Sequence, residues 1–254
     1  MTARPQAQRP HIAAHRGGMG EEIASSIVAF RRAAVDLGVD LELDVHPTED
    51  CELVVFHDER LELTTNLVGS IHDYSLEELR STLDLSNGMA SNPVGIATLG
   101  EVLAISGESK VSIDIKEDLG PASWIEESVG RLVQEYDMEE RAVVASFLDP
   151  PLARFRRLFP AIPTAASSAE AVRWYQEFHS RVGSQPPFQV LSLPTTLMGS
   201  QYLTPELVAS AHHQGLEVWV WTVNEEEDLR RMQTMDVDVV VTDYPAKVLE
   251  FYRG

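Results

Sequence analysis

The segment VDLELDVHPTEDCELVVFHD, residues 39–58, contains two apolar runs, 39–46 and 52–57, that are typical of β-strands. The turn between them is too short for the helical crossover that two parallel strands would need. The two runs are therefore predicted to form an antiparallel hairpin. This hairpin would bring Asp44 on one strand roughly opposite His57 on the other.

Outward from this hairpin, short apolar strands alternate with amphipathic helices along the whole chain. The other predicted strands are 11–15, 111–116, 142–146, 161–166, 188–193, 217–223 and 237–242. Such alternation over 254 residues is typical of a parallel α/β fold, either a closed (β/α)8 barrel or an open doubly wound sheet. Nine strands fit an eight-stranded barrel if the hairpin near residues 39–57 supplies one extra strand.

The spacing of charged residues favours the barrel, because side chains two positions apart share one face of a strand. Glu42 and Asp44 share a face of one predicted strand, and Ser112, Asp114 and Lys116 share a face of another. In a sheet covered by helices on both faces these charges would be buried away from water, at high cost. In a barrel they would line the mouth at the carboxyl ends of the strands. We therefore predict a (β/α)8 TIM barrel.

Several predicted helices carry sequence signals at their ends. The first helix is predicted over 21–37 and ends before Gly38, which suits the left-handed conformation that terminates helices. Some of the candidate N-cap residues belong to capping boxes, and others come directly before proline or a run of glutamates. The predicted N-caps are Ser75, Thr98, Asp149, Thr204 and Asn224.

The composition predicts one folded unit over residues 11–254, preceded by a flexible lead-in over 1–10. Hydrophobic residues make up 44% of the chain, enough for a substantial core. The lead-in is polar and does not resemble a secretory signal, and no apolar run reaches the ~18 residues of a membrane span. The single cysteine, Cys51, excludes an internal disulfide. These features favour a cytoplasmic protein.

The chain carries 20 basic and 40 acidic residues and a formal net charge of −20. Such a charge repels nucleic acid and anionic membranes, so we expect neither a nucleic-acid partner nor stable membrane insertion. Histidine, arginine and carboxylate residues gather at the ends of the first strands. This combination is suited to metal-assisted acid/base cleavage of a phosphodiester.

The chain resembles the glycerophosphodiester phosphodiesterase family, whose barrel is shared with phosphatidylinositol-specific phospholipases C. The resemblance covers roughly residues 11–250 and depends on separated motifs that occur in order. These motifs are AAHRG (13–17), LELDV (41–45), VVFHD (54–58), LTTN (63–66), SIDIK (112–116), VVASFLDP (143–150), VWTVN (220–224) and VTDYP (241–245).

The resemblance implies metal-dependent hydrolysis of a glycerophosphodiester to sn-glycerol 3-phosphate and an alcohol, with one divalent cation, Ca²⁺ or Mg²⁺. It implies metal ligands at Glu42, Asp44 and Asp114, a general base and general acid at His15 and His57, and phosphate-binding groups at Arg16 and Lys116. Further candidates are Phe147 and Trp221 for lining the pocket, Asp58 for orienting His57, and Asp243 at a strand end.

The chain departs from the family pattern in two places, one of them a run of three residues. Ile23, Ala24 and Ser25 stand where the family usually carries Pro-Glu-Asn, and Asp114 stands in place of a glutamate. The shorter arm of Asp114 would alter the geometry of a bound cation.

Two other functions stay open at this point. One is a non-catalytic relative that binds a glycerophosphate group or a protein partner, and the other is a phosphodiesterase that acts on a lipid head group. A small soluble glycerophosphodiester is the expected partner. The sequence leaves the leaving alcohol, the choice of metal and the oligomeric state open.

Overall fold

The computed structural model describes residues 9–88, 90–180, 183, 185–197 and 199–253, so most of the predicted lead-in lies outside the described residues. The strands are β1 (His11–His15), β2 (Asp40–Pro47), β3 (Leu53–Val55), β4 (Val111–Ile115), β5 (Ala142–Ala145), β6 (Val190–Pro194), β7 (Glu217–Trp221) and β8 (Val239–Thr242). The α-helices are α1 (Ile27–Arg31), α2 (Leu76–Thr82), α3 (Leu99–Ile105), α4 (Ile125–Glu135), α5 (Asp149–Leu158), α6 (Ser168–Ser180), α7 (Pro205–His213), α8 (Glu226–Thr234) and α9 (Pro245–Arg253).

The strands form a closed parallel barrel. The sheet has the order β5-β4-β2-β1-β8-β7-β6, and its neighbours along this path are parallel. The two ends of the path are joined by Thr164, which bridges Val144 of β5, and Ala165, which bridges Val190 of β6. The predicted strand 161–166 is reduced to this pair of bridges. The structure thus confirms the barrel and excludes the open sheet.

The predicted hairpin is present as β2 and β3. These strands are antiparallel, with Val45 opposite Val55, and they lie beside the barrel path. Asp44 lies roughly opposite His57, as predicted, although the residue that faces it directly is Phe56, whose amide N–H donates to the carbonyl oxygen of Asp44 over 3.1 Å. His57 therefore follows directly after the residue that faces Asp44.

The first helix begins later than predicted. Its N-cap is Ser26, whose Oγ accepts a hydrogen bond from the amide of Ala29 over 3.1 Å. The preceding Ser25 has a left-handed φ of 60°, which ends any helical path from residue 21. Helix α1 continues as a π-helical segment over Arg32–Leu37 and ends at Gly38, whose φ of 67° suits its lack of a side chain.

The other predicted caps divide into two groups. Those at Ser75, Thr98 and Thr204 are confirmed, with side chains that accept amide hydrogen bonds from the first turn. Those at Asp149 and Asn224 are wrong, because the N-caps are Leu148 and Glu225. The Asp149 carboxylate accepts a hydrogen bond from Ser167, and the Asn224 amide binds the strand end of β8. In both cases a tertiary polar partner replaces the local one.

The barrel interior is filled by a small apolar cluster that includes Ala13, Val143, Trp219, Val239 and Val241. Trp219 is fully buried and is the largest of these side chains. Because strand side chains alternate, the residues two positions after members of this cluster point to the same interior, nearer the mouth. The cluster therefore forms the floor beneath the polar residues at the strand ends. No helix among the described residues is long and apolar enough to cross a bilayer.

Candidate active site

The sequence-predicted site residues come together at the mouth of the barrel. They line one cavity of about 630 Å³, a volume in the range of small-molecule sites. These residues are His15, Arg16, Glu42, Asp44, His57, Asp114, Lys116, Phe147 and Trp221. Their common origin is the carboxyl ends of the strands and the segments that follow, which is where TIM barrels build their sites.

His15 is held by a carboxylate from the far end of the chain. Its Nδ1 atom lies 2.6 Å from Oδ1 of Asp243, which follows β8. The other carboxylate oxygen of Asp243 accepts a hydrogen bond of 2.7 Å from the Asn224 side chain. Although burial acts to raise its pKa, the hydrogen bonds from His15 and Asn224 hold the pKa of Asp243 below its ordinary value. An ionised carboxylate therefore accepts from Nδ1, which leaves Nε2 of His15 for proton transfer.

His57 is held in the same manner by its neighbour. Its Nδ1 atom lies 2.8 Å from Oδ1 of Asp58, and Thr64 Oγ1 donates to the other oxygen of that carboxylate over 2.8 Å. Burial lowers the pKa of His57 below its ordinary value, and the hydrogen bond to Asp58 opposes this shift without cancelling it. The imidazole is therefore mainly neutral near pH 7 and can accept a proton. The candidate role of Asp58 is supported by this geometry.

Three carboxylates, those of Glu42, Asp44 and Asp114, line the same cavity as the two histidines. Glu42 Oε2 lies 3.9 Å from Nε2 of His15, while Asp44 and Asp114 occupy facing positions on the paired strands β2 and β4. Burial, together with repulsion from Asp44 and Asp114, raises the pKa of Glu42 well above its ordinary value. Burial is also the main cause of the raised pKa of Asp114. The carboxylates therefore form a site of concentrated negative charge that favours a cation.

Lys116 supplies positive charge to this cluster of carboxylates. The Nζ atom of Lys116 lies 2.6 Å from Oδ1 of Asp44 and 2.8 Å from Oδ2 of Asp114. Burial acts to lower the pKa of Lys116, but attraction to these two carboxylates raises it above its ordinary value. Lys116 is therefore a cation that bridges two carboxylates, in addition to being a candidate phosphate-binding group.

Arg16 occupies a constrained position directly after β1. Its backbone has a left-handed φ of 50°, and its amide N–H donates to Glu42 Oε2 over 3.2 Å. The next residue, Gly17, has a φ of 83° and lies so close to Ala29 that a Cβ at this position would be 2.8 Å from the Ala29 side chain. The turn thus holds the Arg16 guanidinium at the cavity, where Nε lies 3.6 Å from Oδ2 of Asp44.

The donor chemistry of this centre fits a hard divalent cation. Asp44 Oδ2 and Asp114 Oδ1 are buried and have no hydrogen-bond partner, and carboxylate oxygens are the ligands that Ca²⁺ and Mg²⁺ prefer. In the part of the chain that the structure describes, no three His, Cys, Asp or Glu side chains stand close enough to hold a metal ion as they lie. In this arrangement Lys116 supplies one positive charge to the two carboxylates of Asp44 and Asp114.

Sequence reasoning missed the role of Asn224 and gave Asp243 no partner. Asn224 Oδ1 accepts from the backbone N–H of Asp243 over 2.9 Å and from Thr242 Oγ1 over 3.0 Å, while its Nδ2 donates to the Asp243 carboxylate. The signal available was the pair of strand-end motifs VWTVN and VTDYP. Neighbouring parallel strands end at the same edge of the barrel, so polar residues after β7 and β8 must lie near each other.

Ile23, Ala24 and Ser25, which stand where the family usually carries Pro-Glu-Asn, are not among the residues that line the cavity. Neighbouring Glu21 instead accepts hydrogen bonds from the first amides of α9, at 3.1 Å from Ala246 and 3.2 Å from Lys247, and lies 2.6 Å from Arg32. Glu21 therefore joins the first loop to the last helix.

A parallel barrel with two histidine–aspartate pairs, a carboxylate cluster and two cationic side chains, Arg16 and Lys116, at its mouth is typical of one class of protein: barrel enzymes that act on an anionic substrate. Comparison with known proteins gives the family. The chain matches the glycerophosphoryl diester phosphodiesterase family over residues 15–247. It belongs to this family, and the prediction that it is a phosphoric diester hydrolase is confirmed.

One relative agrees with this assignment, and two solved structures show the same fold. The chain is 32% identical to a glycerophosphodiester phosphodiesterase of Caldanaerobacter subterraneus, with 95% of this chain and 97% of that protein covered. Its fold matches the glycerophosphoryl diester phosphodiesterase domain of a Mycobacterium tuberculosis protein, with a TM-score of 0.80, 17% identity and coverage of 97% of this chain and 100% of that one. It also matches an Oleispira antarctica phosphodiesterase solved with the product sn-glycerol-3-phosphate, with a TM-score of 0.76, 22% identity and coverage of 96% and 97%.

Proposed function

We propose that the protein hydrolyses a soluble glycerophosphodiester to sn-glycerol 3-phosphate and an alcohol, with His15 and His57 as the acid/base pair and a divalent cation as cofactor. The observation that carries this proposal is the pair of histidines on one cavity, each with a carboxylate at Nδ1. A non-catalytic binding protein does not need two histidines that are each oriented by a carboxylate. The product of the Oleispira phosphodiesterase agrees with the proposed product.

The two histidines move protons in opposite directions, and we propose the reverse of the order that the resemblance implies, with His57 as the first base and His15 as the first acid. In the first step a glycerol hydroxyl oxygen bonds to phosphorus and its proton passes to Nε2 of His57, whose lowered pKa suits it to accept. The bond between phosphorus and the alcohol oxygen breaks, and His15 gives that oxygen a proton. In the second step a water oxygen bonds to phosphorus and its proton passes to His15, while the ring bond between phosphorus and the oxygen that attacked in the first step breaks and His57 returns a proton to that oxygen. The sum is one diester and one water converted to one monoester and one alcohol.

The cationic side chains of the site, Arg16 and Lys116, bind the phosphate. Arg16 presents its guanidinium from a turn whose backbone is fixed by Glu42 and Gly17, so that little freedom is lost on binding. Lys116 lies among the carboxylates and contributes a second positive charge. Both groups stabilise the negative charge that grows on the phosphoryl oxygens in the transition state.

Glu42, Asp44 and Asp114 would hold the divalent cation. When bound, the cation would neutralise the phosphoryl oxygens and lower the charge density of the carboxylates. Support comes from the raised pKa of Glu42 and from the unpartnered oxygens of Asp44 and Asp114. The choice between Ca²⁺ and Mg²⁺ and the cytoplasmic location expected from the sequence stay predictions.

The test is hydrolysis of glycerophosphocholine and glycerophosphoethanolamine, followed as release of glycerol 3-phosphate. The assay is run free of metal and then with Ca²⁺ or Mg²⁺. We expect release only with a cation, and a loss of about 100-fold or more in kcat for His15→Ala and for His57→Ala. His11→Ala is the matched control, because His11 lies at the opposite end of β1 and is exposed.

Two results would contradict the proposal. One is hydrolysis that survives both histidine substitutions. The other is tight binding of glycerol 3-phosphate with no turnover under any metal, which would favour the non-catalytic alternative. Asp114→Glu examines the departure from the family at the third ligand position, and we expect it to keep activity while Asp114→Asn loses it.

A further inference from the structure

The cavity at the barrel mouth has two unlike halves. Its charged and imidazole side chains all lie between His15 and Lys116 in the sequence. From Ala145 onward the described lining residues include no Asp, Glu, Lys, Arg or His. The second half is dominated by apolar and aromatic side chains, which we call the apolar arm: Phe147, Val172, Tyr175, Leu197, Tyr202 and Trp221.

Three aromatic residues of this half use their polar atoms in hydrogen bonds within the protein. The hydroxyl of Tyr202 donates to the carbonyl oxygen of Pro194 over 3.0 Å. The indole N–H of Trp174 donates to Gln214 over 3.2 Å, and that of Trp219 donates to Glu217 over 2.9 Å. The polar atoms of these three residues are therefore already used, and it is their ring carbon that is left to contact a ligand.

The apolar arm is continuous from the catalytic centre to solvent. Lys116 Nζ lies 5.5 Å from the centre of the Phe147 ring, which in turn packs edge-on against Trp221 with ring centres 5.9 Å apart. Phe147, Val172 and Leu197 line the cavity and are also 55%, 54% and 48% exposed. Large apolar side chains exposed at the rim of a functional cavity mark a site that binds an apolar group.

We propose that the apolar arm binds a hydrocarbon chain on the leaving alcohol, so that the preferred substrates are glycerophosphodiesters of apolar alcohols. This inference rests on the proposed function and names its substrate class. In this proposal the phosphate lies by Arg16 and the histidines, and the alcohol occupies the neighbouring uncharged half of the cavity. Burial of each methylene there lowers the free energy of the bound state.

A cationic alcohol such as choline is the competing occupant, because aromatic rings also attract quaternary ammonium groups. The described lining of the apolar arm has no carboxylate to pair with an ammonium group. A neutral hydrocarbon uses the whole wall, whereas a cation uses only the ring faces. The structure therefore favours the neutral chain.

The experiment compares kcat/KM for soluble glycerophosphodiesters at saturating divalent cation. One series carries ethyl, butyl and hexyl alcohols, and a matched pair carries choline and its neutral carbon isostere, 3,3-dimethylbutanol. We expect kcat/KM to rise about two- to fourfold per methylene, and the isostere to be cleaved at least as well as choline. A flat alkyl series, or a clear preference for choline over its isostere, would overturn the inference. Failure to cleave any diester would instead contradict the proposed function.

A pair of variants locates the effect. In Val172→Ser/Leu197→Ser the rise from ethyl to hexyl should shrink to less than twofold overall. The control is Val35→Ser/Leu158→Ser, which changes two side chains of similar exposure, 59% and 53%, that do not line the cavity. The control should keep the wild-type profile. An unchanged alkyl profile in the first variant would place the chain elsewhere and overturn the assignment.

Discussion

The Nδ1 atom of His15 and Oδ1 of Asp243 lie 2.6 Å apart although 228 positions separate the two residues in the chain. Their contact is a consequence of barrel closure. Because β1 pairs in parallel with β8, the carboxyl ends of these strands, where His15 and Asp243 lie, are neighbours. The first strand thus supplies the imidazole and the last supplies its carboxylate. Local sequence could not place them together, since only the completed barrel makes the first and last strands neighbours.

Asp243→Asn should impair catalysis much more than substrate binding. The amide of the variant is uncharged and can donate to Nδ1 as well as accept from it. His15 therefore loses its preferred tautomer and orientation. We expect kcat for a glycerophosphodiester to fall about 100-fold or more with KM changed less than threefold. Steady-state kinetics at saturating cation measures both values.

A double variant separates positioning of His15 from general damage. If Asp243 acts through His15, then Asp243→Asn/His15→Ala should be no slower than His15→Ala alone. The thermal unfolding midpoints of the variants provide the check on folding. Additive losses would show that Asp243 acts independently of the histidine.

Lys116 should be needed for stability mainly when no divalent cation is bound. Lys116→Met leaves the buried carboxylates of Asp44 and Asp114 without their bridging cation. We expect the free energy of unfolding to fall by roughly 3–5 kcal/mol in metal-free buffer, and a large part of this loss to be restored by Ca²⁺ or Mg²⁺. Chemical denaturation with and without cation measures both effects.

Lys110→Met is the matched control for this variant. Lys110 also contacts a carboxylate, that of Glu217 at 3.1 Å, but the two side chains are 36% and 40% exposed. Removal of such a surface pair should cost less than about 1 kcal/mol and show no dependence on the cation. Equal losses in the two variants would contradict the buried bridge.

The alternation of side chains along the strands was enough to predict much of the fold and most of the residues of the site. The parity of Glu42, Asp44 and Asp114 requires only that strands alternate their side chains, so it could be read locally and it places these residues at the cavity. The β2–β3 hairpin followed from the length of its turn. These features depend on short-range geometry alone.

The remaining features depend on tertiary contacts. Helix α1 begins at Ile27 because Ser25 adopts a left-handed φ that the helical pattern of residues 21–37 does not reveal. Asn224 resembles a helix cap in the sequence, but its side chain is engaged by Asp243 from a neighbouring strand end. The bridge of Lys116 between Asp44 and Asp114 depends on the pairing of β2 with β4, which places the two aspartates opposite each other.

The carboxyl of Glu42 should destabilise the metal-free fold at alkaline pH. Its ordinary pKa is 4.5, and burial together with Asp44 and Asp114 raises it in the folded state. Between these two pKa values the unfolded chain has lost the proton while the folded protein still holds it, so stability falls as pH rises through this window. Metal-free Glu42→Gln should therefore match wild type near pH 4.5 and exceed it at pH 8 by more than about 1 kcal/mol.

Denaturation of both proteins across pH checks this expectation, with the exposed Glu49→Gln as control. Addition of a divalent cation should reverse the order at pH 8, because wild type keeps a ligand that the variant lacks. A variant that is less stable than wild type in the absence of metal would contradict the raised pKa of Glu42.

The pH dependence of hydrolysis should reflect His57. Since burial lowers its pKa below the ordinary 6.5, and since the neutral imidazole accepts the first proton, kcat/KM should fall on the acid side with a midpoint below 6.5. The hydrogen bond to Asp58 raises the pKa of His57, so Asp58→Asn should move this midpoint to still lower pH while kcat decreases. The profile of Asp36→Asn, which changes an exposed carboxylate outside the cavity, should stay that of wild type. An acid midpoint above 6.5, or one that Asp58→Asn leaves in place, would assign the first proton transfer to a different group.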